Sequence, residues 1–482
     1  MPFIFVAEWF CNNIVWGMPT VFLFLTVGIY LSVKIKFFQF LHPIHIFKKT
    51  VGSLFKNKNN NNGKAVSQLG VISTALAATI GTGNIAGVAT ALTIGGAGAI
   101  FWMWVSAFWG MATAYSENLL GIYYRRKNKN GEYIGGAMYY LKEGLKAKRF
   151  LKHLKNPLAF LFAFFCIFVS FGMGNMIQVN TVTDVLDNGI FGIRISPIIT
   201  AATLTLFIGF VIFDGAKRIS RITEKLVPVM AFLYIFLTLS AIFINFKNIG
   251  EVLKNIFCDA FGINSAMGGI SGYAIKKALE TGLKRGIFSN EAGLGSAVLV
   301  GACSEVDEPA VQGMWGIFTV FFDTVIGCSL TALAILSSGV VEHSKKTGAA
   351  LVQLAFCKSM GAAAGELISV LTLLFALSTV IGWSFYGLKA AEFLLGNKNI
   401  VIYKLLFTIS VIPGSLLQLE TVWLIADIFN GLMALPNLIG VLALSDKVKI
   451  ITDNYKKRAL IGKDYTPPIT SAYDSGIMGK SL

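Results

Sequence analysis

Apolar stretches of about 20 residues recur along this chain, each long enough to cross the hydrocarbon core of a bilayer as a helix. Eleven can be counted, near residues 14–33, 67–93, 97–122, 157–181, 195–213, 226–245, 270–302, 313–338, 364–395, 400–417 and 421–445. Hydrophobic residues make up 55% of the 482 residues and charged residues only 14%, too little charge to cover a water-soluble fold. The sequence therefore predicts an all-α membrane protein with eleven transmembrane helices.

The basic residues are distributed unevenly between the loops that join these segments. Every second loop is rich in Lys and Arg: there are seven in 34–64, ten in 123–155, four in 214–225 and seven after Ser445, and Lys398 lies on the same side. The loops on the opposite side carry six Lys or Arg in all. Because Lys and Arg accumulate in cytoplasmic loops, we predict a cell (inner) membrane protein with its N-terminus outside and its C-terminus in the cytoplasm. The same rule accounts for the net charge of +16, so no nucleic-acid partner is predicted.

Neither the cysteines nor the histidines form a recognisable metal or disulfide pattern. The six cysteines lack paired spacing, and His42 and His45 lack the glutamate of a zinc-protease helix. No Lys or Arg precedes Lys34, so the first apolar run is predicted to be a membrane span and not a signal peptide. The sequence therefore predicts a protein that is not an enzyme and has no organic cofactor.

The apolar segments and charged loops divide the chain into five predicted parts. The asparagine-rich stretch at 56–64 (KNKNNNNGK) is predicted to be a linker within the first loop. The parts are an N-terminal helix at 1–33, a basic cytoplasmic loop at 34–66, five helices at 67–245, five more at 270–445 and a cytoplasmic tail at 446–482.

Two of the apolar segments are interrupted by glycine and polar residues. The second contains the triplet GTG at 81–83, and the seventh contains Gly286, the triplet SNE at 289–291 and Gly293. When the first span is set aside, each interrupted segment becomes the first helix of a group of five. Interruptions at corresponding places in two halves are typical of a transporter built from inverted repeats.

An interrupted helix exposes main-chain groups that must find partners. Glycine lets the backbone leave helical geometry at little steric cost. In hydrocarbon the freed groups are costly unless they line a cavity and meet a ligand. Freed carbonyls suit a cation, whereas freed amides at a helix N-terminus suit a carboxylate. We therefore predict that Gly81–Asn84 and Gly286–Asn290 face one another across a site for a zwitterion and a cation.

Two simpler interpretations of the first interruption were compared with this one. The stretch 81–87 (GTGNIAG) resembles a dinucleotide fingerprint, but its spacing is wrong and no βαβ unit surrounds it. Gly83 and Gly87 also form a pair that favours close helix packing, which does not exclude a site. Packing alone leaves the polar residues beside these glycines unexplained.

Several motifs resemble one known family. The stretch 95–110 (GGAGAIFWMWVSAFWG) is similar to the signature of the alanine or glycine:cation symporter family. Further stretches resemble the same family in the same order, at 81–92, 131–140, 172–180, 226–234 and 285–297. The resemblance implies a leucine-transporter-type fold, with a five-plus-five inverted repeat and one extra N-terminal helix. It also implies import of alanine, glycine or a related small amino acid with Na⁺, or in some members with H⁺.

The resemblance also implies which residues contact the substrate. The first interruption would contribute Thr79, Gly81, Thr82, Gly83 and Asn84, and the seventh segment would contribute Phe288, Ser289 and Asn290. Trp383 would cap the pocket and favour a small side chain; the alternative is a packing or lipid-facing ring. Gln178 is a further candidate, for which a plain helix–helix hydrogen bond is the alternative.

The cation site implied by the resemblance consists of oxygen atoms alone. Ala77 and Ile80 would contribute carbonyls, and Ser378 and Thr379 hydroxyls. A hard cation such as Na⁺ prefers oxygen ligands. The alternative is that the hydroxyls bond back to their own helix.

Carboxylates within the apolar segments leave open the possibility that the coupling ion is a proton and not Na⁺. Acidic residues in membrane spans are functional candidates by default. Glu291 and Asp323 would either stabilise an interrupted helix or carry a proton, whereas Glu117 and Asp427 are predicted to be structural. The alternative to sodium coupling is therefore proton-coupled amino-acid symport by the same fold. A channel is not favoured, because no repeated pore sequence is present.

Overall fold

The computed structural model describes residues 2–54, 66–128, 131–262, 270–417, 419–462 and 467–473. The asparagine-rich stretch at 56–64 lies outside the described residues, so its prediction as a linker stays a prediction. Within the described ranges the chain is almost entirely helical, with one two-stranded antiparallel sheet in which Arg126 pairs with Ile134.

The N-terminal part is one long helical segment followed by a sharp turn. Helix α1 (Pro2–Phe10) continues through a π-helical turn to α2 (Met18–Lys34), which has Pro19 in its first turn and Lys34 in its last. A proline there costs no hydrogen bond, and a base at the end suits the helix dipole. Lys36 and Phe37 then adopt positive φ angles of 56° and 48°. This turn leads into α3 (Phe38–Leu41), α4 (Pro43–Lys49) and α5 (Val51–Leu54).

The next part of the chain contains nine α-helices and the small sheet. The helices are α6 (Gln68–Thr79), α7 (Val88–Gly95), α8 (Gly98–Tyr123), α9 (Ala137–Gly144), α10 (Lys155–Phe171), α11 (Ile177–Asn188), α12 (Pro197–Phe213), α13 (Ala216–Ile244) and α14 (Ile249–Ala260). Strands β1 (Arg126–Lys127) and β2 (Tyr133–Ile134) lie between α8 and α9. π-Helical turns at Gly83–Gly87 and Gly172–Met176 precede α7 and α11.

The last part contains ten α-helices. They are α15 (Ile270–Asn290), α16 (Val298–Gly301), α17 (Pro309–Val320), α18 (Ser329–Ser337), α19 (Gly348–Met360), α20 (Ala362–Leu395), α21 (Ile400–Ile409), α22 (Val411–Leu416), α23 (Leu419–Ala443) and α24 (Ser445–Lys456). A long π-helical stretch, Phe321–Cys328, joins α17 to α18, and a shorter one, Lys457–Ile461, follows α24.

Six of the described helical segments are long and apolar enough to cross a membrane. They are Phe5–Lys34, Lys155–Asn188, Arg218–Ile244, Pro309–Ser337, Ala362–Leu395 and Val422–Ala443. A seventh is present if the bent pair Gln68–Thr79 and Gly83–Gly95, whose axes differ by 43°, is one span. Predicted segments 195–213 and 400–417 form shorter apolar helices. The structure is therefore a multi-pass helical bundle, and the full count of eleven stays a prediction.

Several short helices lie outside the predicted segments, and α14 and α24 among them are amphipathic. Helix α14 buries Val252, Ile256 and Ala260 and packs against α8. Helix α24 buries Val448, Ile451 and Tyr455, in the part of the chain that was predicted only as a tail at 446–482. Both have apolar residues at helical spacing, but neither has the length of a membrane span.

Helix α8 holds the site region together because it packs against both α15 and α17. Small residues allow the close approach. A Cβ atom added to Gly282 would lie 2.3 Å from the Ala99 carbonyl oxygen, and one on Gly316 would lie 2.5 Å from that of Ala114. Such close packing by glycine is the usual way membrane helices approach one another. It fixes α15 and α17 relative to each other.

Candidate functional site

The first interruption begins where α6 ends. Ser67 caps the start of α6, with its hydroxyl accepting from the Gly70 amide at 3.0 Å. After Thr79 the chain leaves helical geometry, since Ile80 has φ −80° and ψ 85°. The Gly81 amide then bonds to the Thr79 carbonyl at 3.0 Å and to Asn84 Oδ1 at 3.2 Å. The main chain is therefore turned at the predicted position and held by Asn84.

Helix α20 contacts this interruption directly. The Thr379 hydroxyl donates to the Ala77 carbonyl at 2.8 Å and to the Phe375 carbonyl at 3.0 Å. A Cβ atom on Gly81 would lie only 2.3 Å from Thr379 Oγ1, so glycine is required there. The Ser378 hydroxyl donates to Phe375 in its own helix at 2.8 Å. The structure thus brings Thr379 into contact with Ala77. Ile80, three residues after Ala77, and Ser378, just before Thr379, are both buried.

The second interruption lies further along the chain than predicted. Helix α15 continues through Gly286 and ends at Asn290, so the prediction that the main chain is unwound at Gly286–Asn290 is wrong. The non-helical stretch follows it, where Glu291, Gly293 and Gly295 have φ angles of 57°, 93° and 74°. Gly286 has a packing role instead, because a Cβ atom there would lie 2.1 Å from Ser106 Oγ on α8.

Two buried polar residues hold the second interruption, and sequence reasoning gave neither this role. Asn437 of α23 donates to the Gly293 carbonyl at 2.8 Å and to Glu117 Oε1 at 2.5 Å. The Glu117 carboxyl also faces the main-chain amides of Gly293 and Gly295. Tyr140 completes the group by donating to Asn437. Glu117 was predicted to be structural. Its position as a glutamate inside an apolar helix is the sequence feature that could have pointed to a buried hydrogen-bonding role.

Asp323 connects the first interruption to the end of α15. It lies in the π-helical stretch Phe321–Cys328 and is fully buried. Its Oδ1 accepts from Asn84 Nδ2 at 2.9 Å, and its Oδ2 accepts from the Ser289 hydroxyl at 2.8 Å and from the Thr324 hydroxyl at 2.9 Å. Asn290 in turn donates to Thr324 at 3.2 Å. A carboxylate therefore lies where the first interruption meets the end of α15.

The direct approach of these two elements is also close. A Cβ atom on Gly83 would lie 3.6 Å from the Cα atom of Ser289, which is ordinary van der Waals contact. Gln178 supports the first interruption from α11, since the Thr82 hydroxyl donates to Gln178 Oε1 at 3.0 Å. Gln178 Nε2 donates to the Met173 carbonyl at 3.1 Å. Gln178 therefore bonds to both Thr82 and the π-helical turn before α11.

Trp383, a residue of α20, packs against the π-helical turn that precedes α11. Its side chain is fully buried, and a Cβ atom on Gly174 would lie 2.3 Å from Trp383 Cβ. The indole faces the Glu291 carboxyl outside hydrogen-bond geometry. Among the described residues neither Trp383 Nε1 nor Glu291 Oε1 has a hydrogen-bond partner, whereas Glu291 Oε2 accepts from the Ser296 hydroxyl at 2.6 Å. Two buried polar atoms therefore remain available beside the second interruption.

The side chains of the two remaining predicted residues, Phe288 and Thr79, make their contacts away from the place where the first interruption meets the end of α15. The Phe288 ring packs on Trp423 of α23 with ring centroids 5.1 Å apart. The Thr79 hydroxyl donates to the Ala75 carbonyl of its own helix at 3.1 Å. Both side chains are buried. They belong to the shell around the site, whereas Asn84, Ser289 and Asp323 lie at its centre.

The arrangement as a whole supplies oxygen atoms and hydrogen-bond donors at a buried position. Carbonyl, hydroxyl and carboxylate oxygens from α6, α20 and the π-helical stretch suit a hard cation. Amide groups from the first interruption suit an anionic group. Together they can bind a small zwitterion with a cation.

Comparison with known proteins identifies the family to which the sequence belongs. The sequence matches the model of the sodium:alanine symporter family over residues 5–468. It is 41% identical over 440 residues to the sodium/alanine symporter AgcS of Methanococcus maripaludis, covering 91% of this chain and 94% of that protein. It is 34% identical over 455 residues to the probable sodium/glutamine symporter GlnT of Bacillus subtilis, covering 94% of this chain and 91% of GlnT.

A solved structure shares the fold. The crystal structure of MhsT in complex with L-phenylalanine matches with a TM-score of 0.51 at 12% identity, covering 81% of this chain and 99% of MhsT. MhsT is a transporter of the leucine-transporter-type fold, and at this identity the likeness concerns the fold alone. The protein is thus a multi-pass membrane transporter of that fold, and it belongs to the sodium:alanine symporter family.

Proposed function

We propose that this protein imports a small neutral amino acid, alanine or glycine, together with Na⁺ by alternating access. The observation that carries the proposal is the contact between Thr379 and the Ala77 carbonyl at 2.8 Å. It joins the interrupted helix to α20 through two oxygen atoms, and a bound cation can replace the hydrogen bond between them. Binding of Na⁺ there would fix the first interruption before the amino acid enters.

The proposed cation site consists of four oxygen atoms on two elements. These are the carbonyls of Ala77 and Ile80 and the hydroxyls of Ser378 and Thr379. Both hydroxyls must turn away from the Phe375 carbonyl to face the ion. The membrane potential supplies about 2.3 kcal/mol per 100 mV for each Na⁺ that enters.

The proposed substrate site lies between the first interruption and the end of α15. Main-chain amides of the first interruption would hold the carboxylate of the amino acid, and the Asp323 carboxylate would attract its ammonium group. The bulk of Trp383 would leave room for only a short side chain. The residues proposed to line the site are Thr79, Gly81, Thr82, Gly83, Asn84, Gln178, Phe288, Ser289, Asn290 and Trp383.

The proposed architecture has eleven spans. The N-terminal helix would precede two inverted repeats of five, at 67–245 and 270–445, with the N-terminus outside and the C-terminus in the cytoplasm. The loop asymmetry in Lys and Arg supports this orientation. The interrupted helices at corresponding places in the two repeats support the symmetry.

Proton coupling is the second candidate. The full burial of Glu291 and Asp323 beside the two interruptions favours it, because a buried carboxylate is the usual proton carrier in transporters. This candidate predicts alanine uptake driven by a proton gradient in sodium-free buffer. Asp323→Asn or Glu291→Gln would abolish that uptake.

The deciding experiment is uptake of radiolabelled alanine, glycine and glutamine into proteoliposomes with and without a Na⁺ gradient. In the double variant Ser378→Ala/Thr379→Ala, we expect the Na⁺ concentration for half-maximal uptake to rise at least about tenfold, since ligand oxygens are lost. Ser369→Ala is the matched control, because its hydroxyl bonds back within α20 at 2.9 Å, away from the interruption. An unchanged sodium dependence in the double variant would contradict the proposed cation site.

A further inference from the structure

An apolar groove lies on the outside of the bundle, next to the site. It has a volume of about 730 Å³. One wall is formed by Phe40 and Phe47 from the short helices after α2, and the other by Phe108, Phe321 and Phe322 from α8 and the π-helical stretch. A groove lined by aromatic rings at the edge of a membrane bundle suits an acyl chain.

A basic pocket adjoins this groove. It has a volume of about 320 Å³ and is lined by His42, His45 and Lys48. Pro43 and Ile44 line both spaces and form their common wall. Lys48 and Lys49 are exposed in the last turn of α4, and neither forms an ion pair with a residue that the structure describes. An apolar space next to a basic one suits an amphiphile with a negatively charged head.

The short helices that form the first wall are firmly attached to the bundle. Lys36 and Phe37 both adopt left-handed conformations, which non-glycine residues keep only where the surroundings hold them. The buried Gln39 donates to the Ser32 hydroxyl of α2 at 2.7 Å. On their outer side Leu41 and Ile44 are 65% and 72% exposed. Exposed apolar residues interleaved with lysines are typical of a helix at a membrane interface.

The second wall is the stretch that carries Asp323. Phe321 and Phe322 line the groove, and the next two residues, Asp323 and Thr324, bond inward to the site. A molecule in the groove would therefore press on the outer side of the π-helical stretch. That stretch would be held against both interruptions more firmly when the groove is filled.

We propose that an anionic phospholipid binds here, with an acyl chain in the groove and its phosphate at Lys48 and Lys49. Lys48 lines the pocket beside the apolar groove and the exposed Lys49 follows it, and this positive charge favours an anionic phospholipid over a neutral lipid or a second copy of the chain. Occupancy stabilises the π-helical stretch and raises the maximal rate of transport. The binding itself does not depend on the proposed substrate or coupling ion.

The test compares the full-length protein in vesicles of phosphatidylcholine with the protein in equimolar phosphatidylcholine and phosphatidylglycerol. Phosphatidylglycerol binding is followed by native mass spectrometry, and stability and alanine uptake are measured in parallel. In Lys48→Gln/Lys49→Gln we expect phosphatidylglycerol binding to weaken roughly tenfold or more, because each base near an anionic surface contributes about 1 kcal/mol. The gains in melting temperature and uptake rate should fall with it.

The control is Lys345→Gln/Lys346→Gln, a second pair of adjacent exposed lysines in the loop before α19. Ile44→Trp tests the groove separately, since the larger side chain on the common wall should displace the acyl chain. Equal losses in both lysine pairs, or no effect of phosphatidylglycerol on the unmodified protein, would overturn the proposal. Loss of lipid binding with intact sodium-driven uptake in phosphatidylcholine leaves the proposed transport function standing, so the two proposals fail separately.

Discussion

The two interruptions differ in what holds them. The first is short and is held by hydrogen bonds from Thr379 and Asn84, which belong to elements that contact the site. The second is longer, with three positive φ angles, and is held by Glu117 and Asn437 from outside the site. The first is therefore held by side chains that a ligand could replace, whereas a carbonyl of the second is held by side chains outside the site.

This difference suggests a division of labour during transport. A segment held mainly by side-chain hydrogen bonds at the site can change its partners when a cation binds. A segment whose carbonyl is bonded to a buried asparagine and whose amides face a buried carboxylate changes at a higher cost, since a lost partner leaves a buried polar group unsatisfied. We therefore expect the first interruption to respond to ligands and the second to keep its shape.

The largest effect is expected from Gly81→Ala, which tests whether the first interruption needs its close contact with α20. The added Cβ atom would lie 2.3 Å from Thr379 Oγ1 and separate the two proposed cation-binding elements. We expect sodium-driven uptake to fall by about a hundredfold or more, because overpacking costs about 1–3 kcal/mol and the cation oxygens move apart.

The matched control is Gly87→Ala, at the end of the π-helical turn Gly83–Gly87 that follows Gly81. Its Cβ atom would meet only the Thr82 carbonyl oxygen at 3.7 Å, an ordinary contact. Uptake close to that of the unmodified protein is expected. If Gly81→Ala transported as well as Gly87→Ala, the contact between α6 and α20 would have no part in coupling.

A smaller effect is expected from Glu117→Gln, which tests whether the second interruption is a fixed wall. The glutamine can still accept from Asn437, but its amide N–H groups then face the amides of Gly293 and Gly295. We expect a loss of stability of about 1–3 kcal/mol, seen as a lower melting temperature, and a fall in the maximal uptake rate of about tenfold.

Glu251→Gln on α14 is the control, since Glu251 is exposed and lies in the first turn of a surface helix. The sodium concentration for half-maximal uptake should stay unchanged in both variants. A changed sodium dependence in Glu117→Gln would mean that the second interruption takes part in cation binding, against the division of labour described above.

How far the sequence could predict these two regions depends on the range of the interactions involved. The first interruption follows from a local signal, a Gly-Thr-Gly triplet in an apolar helix, and the structure turns at that place. The second interruption was predicted too early in the chain, because the sequence alone does not distinguish a glycine that packs closely, such as Gly286, from a glycine at which a helix is interrupted. The close contact of Gly286 with Ser106 is tertiary and has no sequence signature.

The residues that hold the second interruption were missed for the same reason. Glu117 and Asn437 meet across 320 positions of sequence, so neither predicts the other. Apolar length and loop charge, by contrast, are local properties, and they predicted the helical membrane class that the structure and family confirm.

The smallest effect is expected at Trp383, whose substitution tests whether the side chains beside the second interruption limit the size of the substrate. Trp383→Phe keeps an apolar ring but opens space beside Gly174 and Glu291. Space for one or two more methylene groups changes discrimination by about 1–3 kcal/mol, so uptake of larger neutral amino acids should rise several-fold relative to alanine. Competition of unlabelled amino acids with radiolabelled alanine measures this shift. Because Trp383 is proposed to act on size alone, an altered sodium dependence with unchanged selectivity would place it in the first region and not the second.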